Sequence, residues 1–283
     1  MRFAICISGG FRNAKQLYPN FKKHILSPLE EMGYAVDVFI SSWNSKIPHY
    51  KVHIPDTTTY NEIVSLYKPI AINYEIYDQE KRDFLYKDTK MDVFQRYARE
   101  NPVARREFGR WERHHLCRVC NQYGFFGGKC RCCGGTNIHN HIGMLYMIKR
   151  ASDILWEHYN QQSANYTYDY VMRTRFDNVY LEDISRNILD MAKFGWLIPE
   201  GDDDFEDYGG GANDQLCIST PVKMHIYSST YDFMYDIAMK YYPTKGGYGI
   251  PHISIDEMAR KFGIHIIRGQ FKYALHKRLV EAK

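Results

Sequence analysis

Short apolar runs of strand length alternate with helical stretches over the first 78 residues of the chain. The runs are Phe3–Ser8, Val36–Ser41 and Ala71–Tyr77, and the stretches between them with apolar residues at helical spacing are Gln16–Met32 and Asn61–Tyr67. Strands that follow one another through helices pair in parallel, because a helical crossover returns the chain to the same end of the sheet. The sequence therefore predicts an α/β fold with a mostly parallel sheet flanked by helices.

The alternation stops near residue 79 and resumes near residue 142. Further helices are predicted at Ile142–Tyr159, Met224–Tyr241 and Ile255–Phe262, and further strands at Tyr168–Met172, Gly195–Ile198, Gln215–Ser219 and Ile264–Ile267. With 283 residues, the chain is long enough for one large α/β domain with a small insertion. We therefore predict one domain formed by residues 1–78 and 142–283, interrupted by an insertion at 79–141.

The net positive charge of the chain lies in this insertion. It has 13 lysine and arginine residues against 7 aspartate and glutamate residues, a net charge of +6, whereas the formal net charge of the whole chain is +4. The basic side chains suited to contact a nucleic-acid backbone are Arg106, Arg110 and Arg113 on one helical face, with Lys129 and Arg131 further along. The alternative is a stabilised insertion with a solvated basic face.

Four cysteines of the insertion have the spacing of a zinc module. Cys117 and Cys120 form one CxxC pair, and Cys130 and Cys133 form a second, with Cys132 able to replace Cys130. Two such pairs place four thiolates around one tetrahedral Zn²⁺, which leaves no open position for catalysis. Less favoured substitutes as ligands are His114, His115, His139 and His141. The spacing predicts a structural zinc ion in a zinc-ribbon-like module.

The sequence contains no candidate membrane helix. No segment approaches the roughly 20 apolar residues that a membrane span needs. The apolar start at Met1–Ile7 is too short for a signal peptide. We expect a protein without a membrane span that is located in the cytoplasm, which is the host cytoplasm if the chain is viral.

Three polar motifs follow predicted strands, where open α/β sheets bind ligands. They contain, in chain order, Ser8, Gly9, Gly10 and Arg12, then Ser41 and Trp43, and then Arg173, Arg175 and Asp177. Glycine backbone with free N–H groups and a nearby arginine suit a diphosphate, and an indole among polar groups suits a nucleoside. The alternative for the third motif is a structural salt-bridge cluster at a strand end.

The order of the three motifs resembles GT-A type glycosyltransferases of viruses, phages and bacterial capsule synthesis. Such enzymes begin with a strand ending in Ser-Gly-Gly/Gln-x-Arg, continue with an Asp-Val-Phe-Ile-like strand, here Asp37–Ile40, and later have Arg-x-Arg-x-Asp, here Arg173–Asp177. The resemblance covers roughly 1–78 and 142–270 and not the insertion. It implies a GT-A-like, Rossmann-like fold and transfer of a sugar, hexosyl or pentosyl, from a nucleoside-diphosphate donor to a hydroxyl.

The resemblance also implies roles for single residues. Asp177 takes the position of a carboxylate that holds Mn²⁺ or Mg²⁺ on the donor diphosphate. The usual Asp-x-Asp pair is incomplete here, because Val179 stands at its second acidic position, so Arg173 and Arg175 are candidates to share the neutralisation and metal dependence stays open. Asp214, after a glycine-rich loop, is the candidate general base for the acceptor, or alternatively a turn aspartate that caps a strand.

Three further polar positions carry weaker expectations. The acidic run Asp202–Asp204 is better explained as a solvated loop or lid than as a metal motif. His252 and Asp256 are candidates to complete the site, although a helix N-cap also explains Asp256.

Two acceptors compete within the transferase interpretation. One is a hydroxymethylated or sugar-decorated base in phage DNA, as with phage arabinosyltransferases, which the basic insertion favours. The other is a glycan. Two interpretations of another kind remain: a non-catalytic, zinc-dependent nucleic-acid-binding protein, and a phosphate-handling enzyme such as a nucleotidyltransferase.

Overall fold

A computed structural model describes residues 1–45, 57–100, 137–163, 166–199, 212–245 and 251–275. These residues form an α/β fold around a seven-stranded sheet. Its strands are β1 (Arg2–Ser8), β2 (Ala35–Ser45), β3 (Ala71–Tyr77), β4 (Tyr170–Thr174), β6 (Gly195–Ile198), β7 (Cys217–Ser219) and β8 (His265–Arg268). A second, two-stranded sheet pairs β5 (Asn178–Tyr180) with β9 (Tyr273–Leu275).

The order of strands across the large sheet is β3-β2-β1-β4-β7-β6-β8. The pairs β1–β2, β2–β3, β1–β4 and β6–β8 are parallel, whereas β7 is antiparallel to both of its neighbours. The predicted α/β class with a mostly parallel sheet is therefore confirmed, and the arrangement is compatible with a Rossmann-like fold. The small sheet of β5 and β9 was not predicted from the sequence.

Helices cover both faces of the large sheet, each with its own core cluster. On one face lie α1 (Ala14–Phe21), α2 (Ser27–Glu31), α3 (Tyr60–Tyr67) and α7 (Arg186–Ala192), and a π-helical stretch, Lys22–Leu26, joins α1 to α2. On the other lie α4 (Gln79–Asp88), α5 (Met91–Glu100), α6 (Asn137–Asn160), α8 (Pro221–Ser228), α9 (Met234–Lys245) and α10 (Pro251–Lys261), with a 3-10 turn at Ser229–Tyr231. The apolar side of each helix is thereby removed from water.

Helices α4 and α5 lie directly after the predicted domain boundary at residue 79. Their side chains Leu85, Met91 and Phe94 are buried in the same core cluster as Leu145 of α6. The first part of the basic segment therefore contributes to the core of the sheet domain. Residues 101–136 lie outside the described residues, so the zinc-ribbon-like insertion stays a prediction.

Of the helices within the described ranges, none combines the length and apolar character that a bilayer crossing requires.

A buried carboxylate near the amino ends of β1, β2 and β4 organises a polar network. Asp37, which is 7% exposed, accepts hydrogen bonds from Arg2 Nη2 at 2.7 Å, Tyr166 Oη at 2.7 Å and Tyr168 Oη at 2.8 Å. Burial alone raises the pKa of Asp37, but the hydrogen bonds from Tyr166, Arg2 and Tyr168 outweigh it and hold the pKa below its ordinary value. These four residues, called the amino-end network below, pair one negative charge with one positive charge.

Candidate active site

The sheet reverses its winding between β1 and β4, since β2 and β3 extend from one side of β1 and β4 lies on the other. In open α/β sheets, ligands bind outside the carboxyl ends of the strands at such a point. Ser8 ends β1 there, and Arg173 and Thr174 end β4. The first and third predicted motifs therefore meet at one edge of the sheet.

Arg173 is a buried cation between two neutral cysteines of the adjacent strands. Arg173 is 2% exposed, and its register partners on the adjacent strands are Cys6 and Cys217. Burial raises the pKa of Cys6 to about 12 and that of Cys217 well above its ordinary value, so neither thiol supplies a negative charge at neutral pH. Nη2 donates to Ser8 Oγ at 3.3 Å, whereas Nε and Nη1 have no hydrogen-bond partner among the described residues.

The surroundings of Arg173 leave its charge incompletely matched. Burial lowers the pKa of Arg173, and the nearby Tyr227 and Asp214 partly oppose this effect. The guanidinium still stays protonated at neutral pH. Within the described part of the chain, the buried hydroxyl of Tyr227 also has no partner. Because an unmatched buried charge costs several kcal/mol, unpartnered groups around a buried arginine are typical of a position that receives an anion.

Two more arginines bind one carboxylate beside this position. Arg175 donates from Nε to Asp177 Oδ1 and from Nη2 to Asp177 Oδ2, both at 2.8 Å, and Arg12 Nη1 also donates to Asp177 Oδ2. Burial acts to raise the pKa of Asp177, but Arg175 and Arg12 outweigh it and hold the pKa well below its usual range. Arg12, Arg173, Arg175 and Asp177 are called the arginine cluster below.

The loop after β1 carries Arg12 in a constrained backbone conformation. Arg12 has φ of 43°, in the left-handed region that side chains rarely adopt, and Gly9 has φ of 120°. The Arg12 carbonyl accepts a hydrogen bond from Thr57 N at 2.9 Å. Strained backbone at a strand end is a recurrent feature of ligand sites. The expectation of free N–H groups is wrong for Gly9, whose N–H donates to Ser41 O at 3.1 Å, because β2 runs past the end of β1.

Asp214, the candidate general base, lies close to the arginine cluster. It is buried, and its charge acts to raise the pKa of both Arg173 and Arg175. Its neighbours on both sides are fixed by Tyr273 of β9. Asn213 Nδ2 donates to Tyr273 Oη at 2.6 Å, and Tyr273 Oη donates to Gln215 Oε1 at 3.0 Å. Neither Tyr227 nor Tyr273 was predicted at the site, because nothing in the sequence near them indicates a motif.

Ser41 and Trp43 contact α6 rather than the arginine cluster. Ser41 is fully buried and its Oγ donates to Met147 Sδ at 3.6 Å. The Trp43 ring stacks on Tyr77 with 4.0 Å between ring centroids. It also fits against Gly143, where an added Cβ would lie 2.8 Å from the indole. These contacts support a packing role, and the predicted contacts of Ser41 and Trp43 with a nucleoside donor stay a prediction.

The residues around Asp177 do not fit a divalent cation. At phosphate-binding sites Mg²⁺ is held by one or two protein carboxylates together with phosphate and water oxygens, and Mn²⁺ also prefers oxygen ligands. Both oxygens of Asp177 are instead bonded to guanidinium groups. In the ranges that the structure describes, no three or more His, Cys, Asp or Glu side chains form a metal-binding group.

Several predicted site residues lie outside the described residues. They are the zinc ligands Cys117, Cys120, Cys130 and Cys133, the nucleic-acid contacts Arg106, Arg110, Arg113, Lys129 and Arg131, and the loop Asp202–Asp204. Asp256 is described and lies on α10, where it accepts from Arg260 Nη2 at 2.7 Å. Gly10 is partly exposed in the loop after β1.

No protein-family model matches the chain, and no curated protein matches it. The chemistry of the arginine cluster and its position at the edge of the sheet are therefore the observations that bear on function.

Proposed function

We propose that the protein is a glycosyltransferase that moves a sugar from a nucleoside-diphosphate donor to a hydroxyl acceptor. The observation that carries the proposal is the buried Arg173 at the reversal point of the sheet, with two N–H groups that have no partner among the described residues. A ligand that satisfies them must enter a buried position and accept several hydrogen bonds, which suits a phosphate oxygen.

The charges support a diphosphate rather than a neutral ligand. Three guanidinium groups face two carboxyl groups, those of Asp177 and Asp214. Arginine recognises phosphate with paired N–H donors, and these donors are strengthened where water is excluded. The hydroxyl of Ser8, 3.3 Å from Arg173 Nη2, is a further polar group at the same edge.

In the proposed reaction, the acceptor hydroxyl oxygen forms a bond to the anomeric carbon of the sugar. The bond between that carbon and the diphosphate oxygen breaks, and its electron pair leaves with the nucleoside diphosphate. The hydroxyl proton passes to a base, for which Asp214 is the candidate because it is buried beside the cluster. The guanidinium groups stabilise the charge that develops on the leaving group.

A panel of nucleotide sugars tests this function. The protein is incubated with each donor and with acceptors, and release of nucleoside diphosphate is measured. Arg173→Met is expected to abolish turnover, because the diphosphate loses its buried cation. Arg186→Met is the matched control, since Arg186 is exposed and donates to Tyr34 Oη at 2.9 Å. If no donor is bound or turned over, the glycosyltransferase proposal is wrong.

The proposed acceptor is a hydroxymethylated or sugar-decorated base in phage DNA, and the support is the net charge of +6 in the segment 79–141. Binding of duplex DNA should then weaken steeply with added salt, because each neutralised phosphate releases counterions. Absent or salt-independent DNA binding, together with transfer to an oligosaccharide, would favour the glycan acceptor.

The cysteine spacing supports a separate proposal of one structural zinc ion. Metal analysis should find about one zinc per chain, and Cys120→Ser should lower the stability and leave donor binding unchanged. A non-catalytic, zinc-dependent nucleic-acid-binding protein would instead lose its function in Cys120→Ser and keep it in Asp177→Ala.

A further inference from the structure

We infer that the arginine cluster neutralises the donor diphosphate without a divalent cation, and that Asp177 is a positioning residue for Arg12 and Arg175. The inference rests on the proposed function and specifies how its donor site handles charge. It reverses the metal-binding role that the sequence motif implies for Asp177.

The Asp177 carboxylate already has guanidinium partners on both oxygens. Arg175 binds it through two parallel hydrogen bonds of 2.8 Å, and Arg12, from the loop after β1, also donates to it. Paired guanidinium–carboxylate bonds are among the strongest polar contacts in proteins, and this one is largely buried. A cation that took Asp177 as a ligand would have to displace two guanidinium groups and then remain beside their positive charges.

The neighbouring residue Asn178 offers a cation little further coordination. Asn178 occupies the position after Asp177, and its Nδ2 donates to Thr174 Oγ1 at 3.0 Å and to Gln215 O at 3.2 Å. Its Oδ1 has no hydrogen-bond partner in the part of the chain that the structure describes. One neutral amide oxygen beside a carboxylate that already binds two arginines is a poor ligand set for Mg²⁺ or Mn²⁺.

The arginines of the cluster supply a replacement for the cation. Arg173 is buried with unpartnered Nε and Nη1 groups, so it can bind phosphate oxygens directly. Arg12 is fixed by the bond of its carbonyl to Thr57 N and by its left-handed backbone. Asp177 holds the guanidinium groups of Arg12 and Arg175 together, so that both are in position before the donor diphosphate binds.

Calorimetric titration with UDP, GDP, CDP, ADP and inorganic pyrophosphate, each in EDTA and in Mn²⁺ or Mg²⁺, tests the first half of the inference. At least one nucleoside diphosphate should bind in EDTA with an affinity that added Mn²⁺ or Mg²⁺ does not improve. Binding that appears only with a divalent cation overturns the inference and leaves the proposed function standing. Absence of binding under all conditions overturns both.

Asp177→Asn, measured in EDTA, tests the positioning role. A lost metal ligand has no consequence when no metal is present, whereas a lost positioning residue should weaken binding of the nucleoside diphosphate roughly tenfold. The affinity for the corresponding nucleoside, which has no phosphate, should not change, and a general structural defect would lower it as well. Asp177→Glu should restore part of the affinity.

Asp190→Asn is the matched control, because Asp190 is an exposed carboxylate that pairs with Lys193 at 2.7 Å. It should bind the diphosphate as the unaltered protein does. An unchanged affinity of Asp177→Asn in EDTA would overturn the positioning role. If Asp177→Asn does not fold, the comparison of EDTA with Mn²⁺ on the unaltered protein still decides whether a cation is required.

Discussion

The amino-end network and the arginine cluster lie at opposite ends of the same strands and use the same kinds of side chain. At the amino end, one buried carboxylate, Asp37, is matched by one arginine and two tyrosines. At the carboxyl end, Arg12 and Arg175 bind Asp177, Asp214 lies near Arg173 and Arg175, and Nε and Nη1 of Arg173 have no partner among the described residues. Charge balance distinguishes a polar group that stabilises the fold from one that awaits a ligand.

Replacing Arg173 is expected to have the largest effect on ligand binding. It should also distinguish the arginine cluster from the amino-end network most clearly. Arg173→Met should weaken nucleoside-diphosphate binding by about 3 kcal/mol, or roughly 100-fold, because a charge-assisted bond in a buried site is lost. The free energy of unfolding without ligand should stay the same or rise, since an unmatched buried charge is removed. Calorimetry and urea unfolding measure the two quantities. A large loss of stability in Arg173→Met would mean that the cluster is structural, like the amino-end network.

The reverse pattern is expected for Asp37. Asp37→Asn should lower the free energy of unfolding by about 2 kcal/mol, because Arg2 and two tyrosines lose a charged acceptor and Arg2 is only partly buried. Binding of the nucleoside diphosphate should not change. Urea unfolding measures the stability and calorimetry measures the binding. A loss of binding with unchanged stability would contradict a purely structural role for the amino-end network.

Acid should act on both regions, because both buried carboxylates have lowered pKa values. A carboxyl group whose folded pKa lies below its ordinary value of about 4 stabilises the fold above that value, by about 1.4 kcal/mol for each unit of the difference. This contribution is lost as the pH falls from about 5 through 4 towards the folded pKa. Urea unfolding of Asp37→Asn and Asp177→Asn over this range should show a weaker acid dependence in each variant than in the unaltered protein.

The smallest effect is expected from removing one hydroxyl of the amino-end network. Tyr168→Phe should lower the free energy of unfolding by about 1 kcal/mol, since Asp37 keeps its bonds from Arg2 and Tyr166. Tyr227→Phe is its counterpart at the other end of the sheet. Because the Tyr227 hydroxyl has no partner within the described ranges, its removal should leave the stability unchanged or raise it slightly. Equal losses of stability in Tyr168→Phe and Tyr227→Phe would contradict the difference in charge balance between the amino-end network and the arginine cluster.

The members of the arginine cluster were identified from the sequence because they follow predicted strands, and parallel strands bring their carboxyl ends to one edge of a sheet. The approach of Ser8 to Arg173 follows from the pairing of β1 with β4, which the sequence did not show. The charge balance of the cluster was not predictable. It depends on the neutral pair Cys6 and Cys217 beside Arg173, which only the register reveals.

Trp43 shows that a position near the end of a strand does not by itself predict contact with a ligand. Its position after β2 indicates the ligand edge, but β2 continues to Ser45 and directs the indole towards α6. The close fit against Gly143 depends on a glycine 100 positions away in the chain. The burial of Leu85, Met91 and Phe94 was missed for a similar reason, because the charged residues around them dominate the composition of their segment.

The pairing of β1 with β4 has a consequence for the order in which the molecule assembles. Arg12 and Asp177 are 165 positions apart in the chain, so their contact requires that the segments around β1 and β4 have come together. Contacts of such long separation form slowly, since closing the intervening loop costs entropy first. The arginine cluster therefore forms only when β1 and β4 have paired. A ligand that binds this cluster, as proposed, would stabilise the folded state by an amount that grows with ligand concentration, so a thermal-shift screen would report on both folding and occupancy.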